Sequence, residues 1–356
     1  MKALHLLVSL IATAAVSAAL AAQPAVPPLP RLLSETGLFK SGSTTVVRAE
    51  VIAFAPQYPL WSDGTRKQRW ISLPRGRVID ASQPDAWQFP VGTRLWKEFG
   101  YSSRIETRMI ERLPDGSWRF ASYAWNADGT DAVLVPEDGA VVAAESAPGG
   151  RYSVPSRNDC LACHDGPSVP VLGFSALQLS SDRDPLAPHA DAPRRDFADL
   201  RSLFEQGRIV NLSPALIAAP VRIAARTPTE RAALGYLHGN CGHCHNASGA
   251  LDGLELVLSQ SAGESADSAE QTLRSLLGHS SRFHPQGAAT AQRVAADGSG
   301  AHMLTLRMKS ENRMARMPPL GVRVVDSEGV ALVERWITEA VQASREPQHL
   351  AKGELE

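Results

Sequence analysis

The chain has little of what most hydrolases, nucleotide-binding enzymes and nucleic-acid-binding proteins require. Its formal net charge is −1, with 36 Lys and Arg against 37 Asp and Glu, and it has no long basic run. Nothing in this charge pattern indicates binding to a nucleic acid. The sequence contains no G-x-S-x-G motif, no H-E-x-x-H motif and no Gly-rich phosphate loop after a predicted strand. Beyond the N-terminus, no segment is apolar enough to span a bilayer, so stable membrane insertion is not expected.

Cysteine is also scarce, and all four cysteines fall into two copies of one pattern, C-x-x-C-H. The first copy contains Cys160, Cys163 and His164, and the second contains Cys241, Cys244 and His245. This spacing is typical of c-type haem attachment. Two thiols about one turn apart can each form a thioether to a haem vinyl group, and the following histidine is then the proximal iron ligand. The sequence therefore predicts two covalently attached haems c.

The alternatives to haem are a zinc site or a redox dithiol. A four-cysteine zinc ribbon places its C-x-x-C pairs roughly 15–20 residues apart, whereas most of a domain separates Cys163 from Cys241. Neither a zinc ribbon nor a pair of disulfides explains why a histidine follows both cysteine pairs. Haem attachment accounts for all six residues, with no cysteine left over.

Methionine, the other common axial ligand, is limited to six residues. Met317 lies in the segment R-M-P-P-L-G, just before a predicted terminal helix, which is where cytochrome c domains place their distal ligand. We therefore predict Met317 as the second ligand of the His245 iron, an arrangement that closes the iron and raises its reduction potential. Met314 is the alternative, while Met303 and Met308 lie on an apolar stretch and are expected in the core.

The first haem has no such partner, because no methionine occurs between His164 and the second motif. Met109, His189 and His238 remain alternatives for its sixth ligand. With none of them, the iron would be five-coordinate and open to small ligands or peroxide.

The N-terminus has the pattern of a secretory signal peptide. Lys2 supplies a short positive region, Leu6 to Leu20 is apolar, and Ala19 to Ala21 form an A-x-A cleavage site. We expect residues 1–22 to be removed and the mature protein to be periplasmic, where haem c is attached. An uncleaved membrane anchor is the alternative.

The remaining chain predicts an α+β, multidomain protein. Residues 35–155 contain short β-type runs separated by turns, which indicate an antiparallel β-sandwich or open barrel. Residues 156–226 form a first haem-binding segment, with no amphipathic helix leading into Cys160 and a helix from Phe197 that ends at Gly207. Residues 227–345 form a mainly α-helical, class I-like cytochrome c domain, opened by a helix that Thr227 caps and closed by one from about Asp326.

Seven segments together resemble a largely uncharacterised family of exported bacterial dihaem c-type cytochromes. They are Tyr58–Thr65, Phe89–Thr93, Trp125–Asp131, Val154–Cys160, Leu172–Phe174, Tyr236–Cys241 and Arg316–Gly321. The resemblance implies two haems and periplasmic electron transfer, without a known substrate. A weaker similarity of Phe89–Phe99 is to the cytochrome P460 and c′-β group. In P460 a lysine is cross-linked to the haem, and Lys97 is the corresponding residue to test.

These features favour electron transfer through two covalent haems over catalysis, with no catalytic residue assigned. The expected partners are periplasmic or membrane-bound redox proteins. The alternative is a haem redox enzyme or small-ligand sensor, in which the open His164 haem and the β-rich region hold a small molecule. A binding module whose haems are only structural is a third interpretation.

Overall fold

The computed structural model describes residues 26–165, 170–285, 291–297 and 301–353. Within them the chain forms a seven-stranded mixed sheet, two two-stranded sheets and several helices, so the α+β prediction is confirmed. The predicted signal peptide at residues 1–22 lies outside the described residues.

The main sheet has the order β10-β1-β2-β4-β5-β6-β7, while β3 pairs with β11 and β8 pairs with β9. The strands are β1 (Ile52–Phe54), β2 (Arg66–Ser72), β3 (Ile79–Asp80), β4 (Arg94–Gly100), β5 (Arg104–Arg112), β6 (Trp118–Trp125), β7 (Ala132–Leu134), β8 (Ala140–Ala143), β9 (Arg151–Val154), β10 (Phe197–Ala198) and β11 (Ile209–Val210). Strands β2, β4, β5, β6 and β7 match, to within one or two residues, the β-type runs of the sequence at 67–73, 93–99, 103–112, 117–125 and 131–135.

The sheet is mixed rather than purely antiparallel because β10 pairs with β1 in parallel. The sequence predicts Phe197 as part of a helix, but that helix begins only at Leu200. The carboxylate of Asp199 accepts a hydrogen bond from the Ser202 N–H at 2.7 Å and so fixes the helix start. Phe197 is thereby left in extended backbone beside β1.

The two faces of the main sheet have different chemistry. On one face, Trp70, Trp96, Met109, Ala121 and Tyr123 pack in a single buried cluster. The opposite face is apolar at one end, where Ile71 and Leu95 join the largest core, and cationic at the other end. The cationic end carries Arg69, Lys97 and Arg108, which lie side by side on β2, β4 and β5.

The helices are α1 (Arg157–His164), α2 (Leu200–Glu205), α3 (Ala215–Ala218), α4 (Pro228–Asn240), α5 (Ser265–Leu276), α6 (Met303–Met308) and α7 (Ser327–Gly353). Thr227 caps α4 as predicted, since its hydroxyl oxygen accepts from the Glu230 N–H at 3.0 Å. Asp326 likewise accepts from the Gly329 N–H at 2.9 Å at the start of α7. In the described part of the chain, no helix has the length and apolarity needed to cross a membrane.

The segment Gln57–Trp61 joins the sheet to α4. The Tyr58 ring and carbonyl lie directly against Gly235 and Gly239 of α4, where any Cβ would overlap them. The Tyr58 hydroxyl donates to Asp184 at 3.1 Å, and the Trp61 N–H donates to the Asn240 side chain at 2.6 Å. The two glycines therefore form a groove on the helix that receives this segment.

The largest apolar core extends across all three sequence ranges. It contains Tyr58 and Ile71 from the strand-rich range, Phe174 from the middle range, and Leu234 and Ala269 from the C-terminal range. A second core joins α4 to α6 and α7 through Leu237, Met308, Trp336 and other apolar side chains. Helix α4 contributes to both cores, so its position fixes the second C-x-x-C-H motif relative to the sheet.

We expect Gly239→Ala to destabilise the protein, although Gly→Ala inside a helix ordinarily stabilises it by about 1 kcal/mol. The added Cβ would overlap the Tyr58 carbonyl oxygen, and overpacking of this kind costs roughly 1–3 kcal/mol. Urea unfolding measures the free energy of unfolding. Gly253→Ala is the matched control, because nothing lies within 4 Å of the Cβ position at Gly253. Equal stability of the Gly239 variant and wild type would contradict the groove.

Candidate functional site

A cavity of about 1510 Å³ lies between the cationic end of the sheet, α1, the end of α4 and the segment around Met317. Small-molecule sites usually measure roughly 300–1,000 Å³, so this cavity is larger than one ordinary ligand needs. All six residues of the two C-x-x-C-H motifs border it, as does Met317. The structure thus brings together every cofactor-binding and metal-ligating residue that the sequence predicts.

The first motif forms the last turns of α1, which starts directly after the β8–β9 hairpin. Ser156 and Asp159 form a reciprocal cap, with the Ser156 N–H donating to the Asp159 carboxylate at 2.9 Å and the Asp159 N–H to the Ser156 hydroxyl at 3.1 Å. The sequence analysis missed this helix, although a serine followed three residues later by an acid is a recognisable capping signal. No amphipathic helix precedes Cys160, as expected from the sequence.

His164 is held in the orientation that a metal-binding histidine needs. Its Nδ1 lies 2.5 Å from the Pro170 carbonyl oxygen, so Nδ1 carries the proton and Nε2 is left with a free lone pair. Metal-ligating histidines almost always donate their other ring N–H in this way. Burial is the main cause that lowers the pKa of His164 to about 4, which keeps the imidazole neutral. The Phe120 ring of β6 packs against it, with centroids 5.2 Å apart.

The second motif continues directly from α4. The Cys241 N–H donates to the Leu237 carbonyl at 2.8 Å, and the His245 N–H donates to the Cys241 carbonyl at 2.9 Å. Burial, followed by the charges of Arg307 and His243, lowers the pKa of His245 to about 4. Its Nδ1 is buried and has no hydrogen-bond partner among the described residues. Within this part of the chain, His245 thus lacks the second hydrogen bond that orients the ring of His164.

The two motifs are in contact, although 77 residues of sequence lie between Cys163 and Cys241. The Sγ of Cys244 lies 3.8 Å from the carbonyl oxygen of Ala162. A hydrogen bond between the Cys163 and Cys244 thiols, together with burial, raises the pKa of Cys163 to about 12. The same hydrogen bond lowers the pKa of Cys244. The thiol of each motif therefore lies beside the other motif.

His243 is a site residue that the sequence analysis missed. It stands between the two cysteines of the second motif, borders the cavity and acts on the pKa of Cys163 in the first motif. Nothing in its local sequence indicates this role, because the effect depends on how α1 and α4 meet.

The donor set fits two covalent haems. All four cysteines are free thiols, each motif supplies one neutral histidine, and both motifs face the same large cavity. Each haem c is held by two thioether links at the edge of the porphyrin and by one protein histidine on the iron. Among the residues that the structure describes, no three His, Cys, Asp or Glu side chains converge where they could hold a bare metal ion.

The methionines differ in how accessible they are to the cavity. Met317 is partly buried and borders the cavity, and its N–H donates to the Arg307 carbonyl at 3.0 Å. Met314, the alternative, is 88% exposed and does not border it. Met303 and Met308 are buried in α6, at 4% and 8% exposure, as the sequence predicts. The geometry therefore favours Met317 over Met314.

The three alternatives for the first iron are already engaged elsewhere. Met109 borders the cavity, but it is 2% exposed and packs in the cluster on the sheet face opposite the cationic end. His189 Nε2 pairs with Asp326 at 2.9 Å. His238 Nδ1 accepts a hydrogen bond from the Gln260 N–H at 3.0 Å, so the proton of the neutral ring is on Nε2 and no lone pair is free.

Comparison with known proteins found no matching family model, no matching curated protein and no matching solved structure.

The pKa of His238 gives a test of stability against pH. Burial lowers this pKa from 6.5 to about 4, so the folded state keeps the ring neutral while the unfolded chain takes up a proton below pH 6.5. Stability is therefore full above pH 6.5 and is lost as pH falls toward 4, by up to about 1.4 kcal/mol per pH unit. Urea unfolding of the protein between pH 7 and 4.5 measures this loss.

His238→Gln is the matched variant, because its side-chain oxygen can still accept the Gln260 N–H but does not titrate in this range. We expect a shallower loss of stability with acidification in this variant. A loss as steep as that of wild type would show that His238 does not control it.

Proposed function

We propose that the protein is an exported dihaem c-type cytochrome that carries electrons between periplasmic redox partners. The observation that supports this most directly is the contact between the two C-x-x-C-H motifs at one large cavity. Two attachment motifs that are distant in sequence but adjacent in space are what a protein needs if it is to pass electrons through its interior. The resemblance of seven segments to exported dihaem cytochromes points in the same direction.

In this proposal Cys160 and Cys163 hold the first haem and Cys241 and Cys244 hold the second. His164 and His245 are the proximal ligands, and Met317 is the distal ligand of the second iron. When bound, each haem supplies an iron that changes reversibly between the ferric and ferrous states. The chain would route electrons to a membrane-bound or soluble partner after export by the N-terminal signal.

The chain itself contributes orientation and exclusion of water. The hydrogen bond to the Pro170 carbonyl fixes the His164 ring, and burial keeps both histidines neutral and able to bind a metal. The contact of Cys244 with Ala162 brings the attachment edges of the two sites together. A short path through packed protein then connects them.

A second candidate function is a haem enzyme or small-ligand sensor. It is favoured by the cationic end of the sheet, since Arg69, Lys97 and Arg108 all border the cavity near the first motif. An open first iron beside these side chains would suit a small anionic or diatomic molecule. Binding of carbon monoxide by the reduced protein separates this function from a simple electron carrier.

The first prediction is the haem content. Protein matured in the periplasm is expected to carry two covalent haems per chain, measured by haem absorbance and intact mass. The double variant Cys241→Ala with Cys244→Ala should retain one haem, and Cys160→Ala with Cys163→Ala should retain the other. Wild-type protein without covalent haem would refute the proposed function.

The second prediction concerns Met317. Met317→Ala should replace the methionine–histidine spectrum of the second haem by that of a more open iron with a lower reduction potential. Met314→Ala is the matched control, because the Met314 side chain is 88% exposed. We expect it to leave the spectrum and potential unchanged. The reverse pattern would assign Met314 as the ligand.

A further inference from the structure

Lys97 differs from the two arginines beside it because it has no carboxylate partner. Arg69 pairs with Asp191 at 3.1 Å, and Arg108 makes two hydrogen bonds to Glu106 at 2.8 and 2.9 Å. The Lys97 amine forms no hydrogen bond or ion pair with any described residue. The Lys97 Nζ lies 4.9 Å from the centroid of the Phe99 ring. A free amine thus borders the cavity.

The surroundings of Lys97 disfavour its charged form. Burial lowers its pKa well below the ordinary value, and the charges of Arg69, Lys67 and Arg108 lower it further, against a smaller opposing effect of the Glu106 carboxylate. Of these cations, Arg69 and Arg108 are direct neighbours across the strands. A neutral amine has a lone pair, which a cationic ammonium lacks. The same arginines that would be unfavourable neighbours for an ammonium group therefore keep the nitrogen available as a donor.

Lys97 and His164 both border the cavity. Lys97 projects from the sheet face that also carries Phe120, whose ring packs against the imidazole of His164 at 5.2 Å. The first motif and the free amine therefore border the same cavity.

The other donors near the first motif are already engaged. Met109, His189 and His238 each have contacts that remove them from this role. Tyr152 donates its hydroxyl hydrogen to Glu106 at 2.7 Å, and Tyr101 donates to the Asp63 carbonyl at 2.9 Å. His243 acts on the pKa of Cys163, at the attachment edge of the site rather than beside the His164 ring.

We infer that Lys97 Nζ is the second protein ligand of the iron bound by His164. This inference rests on the proposed function, since it requires a haem at the first motif. The amine donates its lone pair to the iron, and no electron or proton is exchanged with another group. The first iron is then six-coordinate with two nitrogen ligands, and the second has nitrogen and sulfur ligands. Both sites are closed, as an electron carrier requires.

The test uses the full-length, haem-loaded protein in the ferric state at pH 7, with electron paramagnetic resonance and near-infrared magnetic circular dichroism. We expect two low-spin haems, one with the charge-transfer band of histidine–amine ligation and one with the band of histidine–methionine ligation. A high-spin haem in the wild type would overturn the inference, even if the variants failed to fold.

Lys97→Ala and Lys97→Arg should each convert one of the two haems to the high-spin form and allow it to bind cyanide. The arginine variant retains a positive charge but has no lone pair suited to the iron, so it separates ligation from charge. Lys40→Ala is the control, because the Lys40 side chain is exposed and does not border the cavity. It should leave both haems low-spin.

Two low-spin haems in Lys97→Ala would overturn the inference. So would a covalent bond between Lys97 and the haem in peptide masses of the wild type, as in the P460 proteins. Fewer than two covalent haems per chain would instead refute the proposed function. If only the assignment of Lys97 is wrong, the protein still carries two covalent haems, and the first iron has a different ligand.

Discussion

The position of the site depends on the packing of Tyr58 against the glycine face of α4. Because Gly235 and Gly239 lack side chains, the Tyr58 ring and carbonyl can lie directly on the helix backbone. Asn240, at the end of the same helix, accepts the Trp61 N–H and donates to the Pro59 carbonyl at 3.4 Å. These contacts fix the second motif relative to the sheet. The first motif follows the β8–β9 hairpin and packs on β6. Both motifs are therefore positioned by contacts with the same sheet.

Several cations side by side on the cavity side of the sheet are unfavourable unless each one is paired with a negative charge. Glu106 is fully buried and holds Arg108, while the Tyr152 hydroxyl donates to the same carboxylate. Asp191 compensates Arg69 in the same way. The absence of such a partner at Lys97 is therefore informative, because an unpaired buried ammonium group costs much more than a neutral amine.

In the proposed arrangement, the two halves of the cavity differ in their surroundings and in the ligand that each offers to its iron. Around the second motif, α4, α6 and α7 form an apolar core, with Met317 at the cavity border. Around the first motif, a sheet replaces the helices of an ordinary cytochrome c domain and presents polar side chains. A nitrogen-ligated iron and a sulfur-ligated iron have different reduction potentials, since sulfur ligation by methionine raises the potential. Such a difference would give electron flow a preferred direction.

The sequence alone determined the six motif residues, the positions of strands β2, β4, β5, β6 and β7, and the starts of α4 and α7, and it predicts Met317 as an iron ligand. Each of these depends on local spacing, periodicity or capping, which the chain carries in a few consecutive residues. Tertiary structure decided the rest: the parallel pairing of β10, the meeting of Cys163 with Cys244, the role of His243 and the isolation of Lys97. These features join residues far apart in the chain. They follow from which faces pack together, and no local pattern encodes that choice.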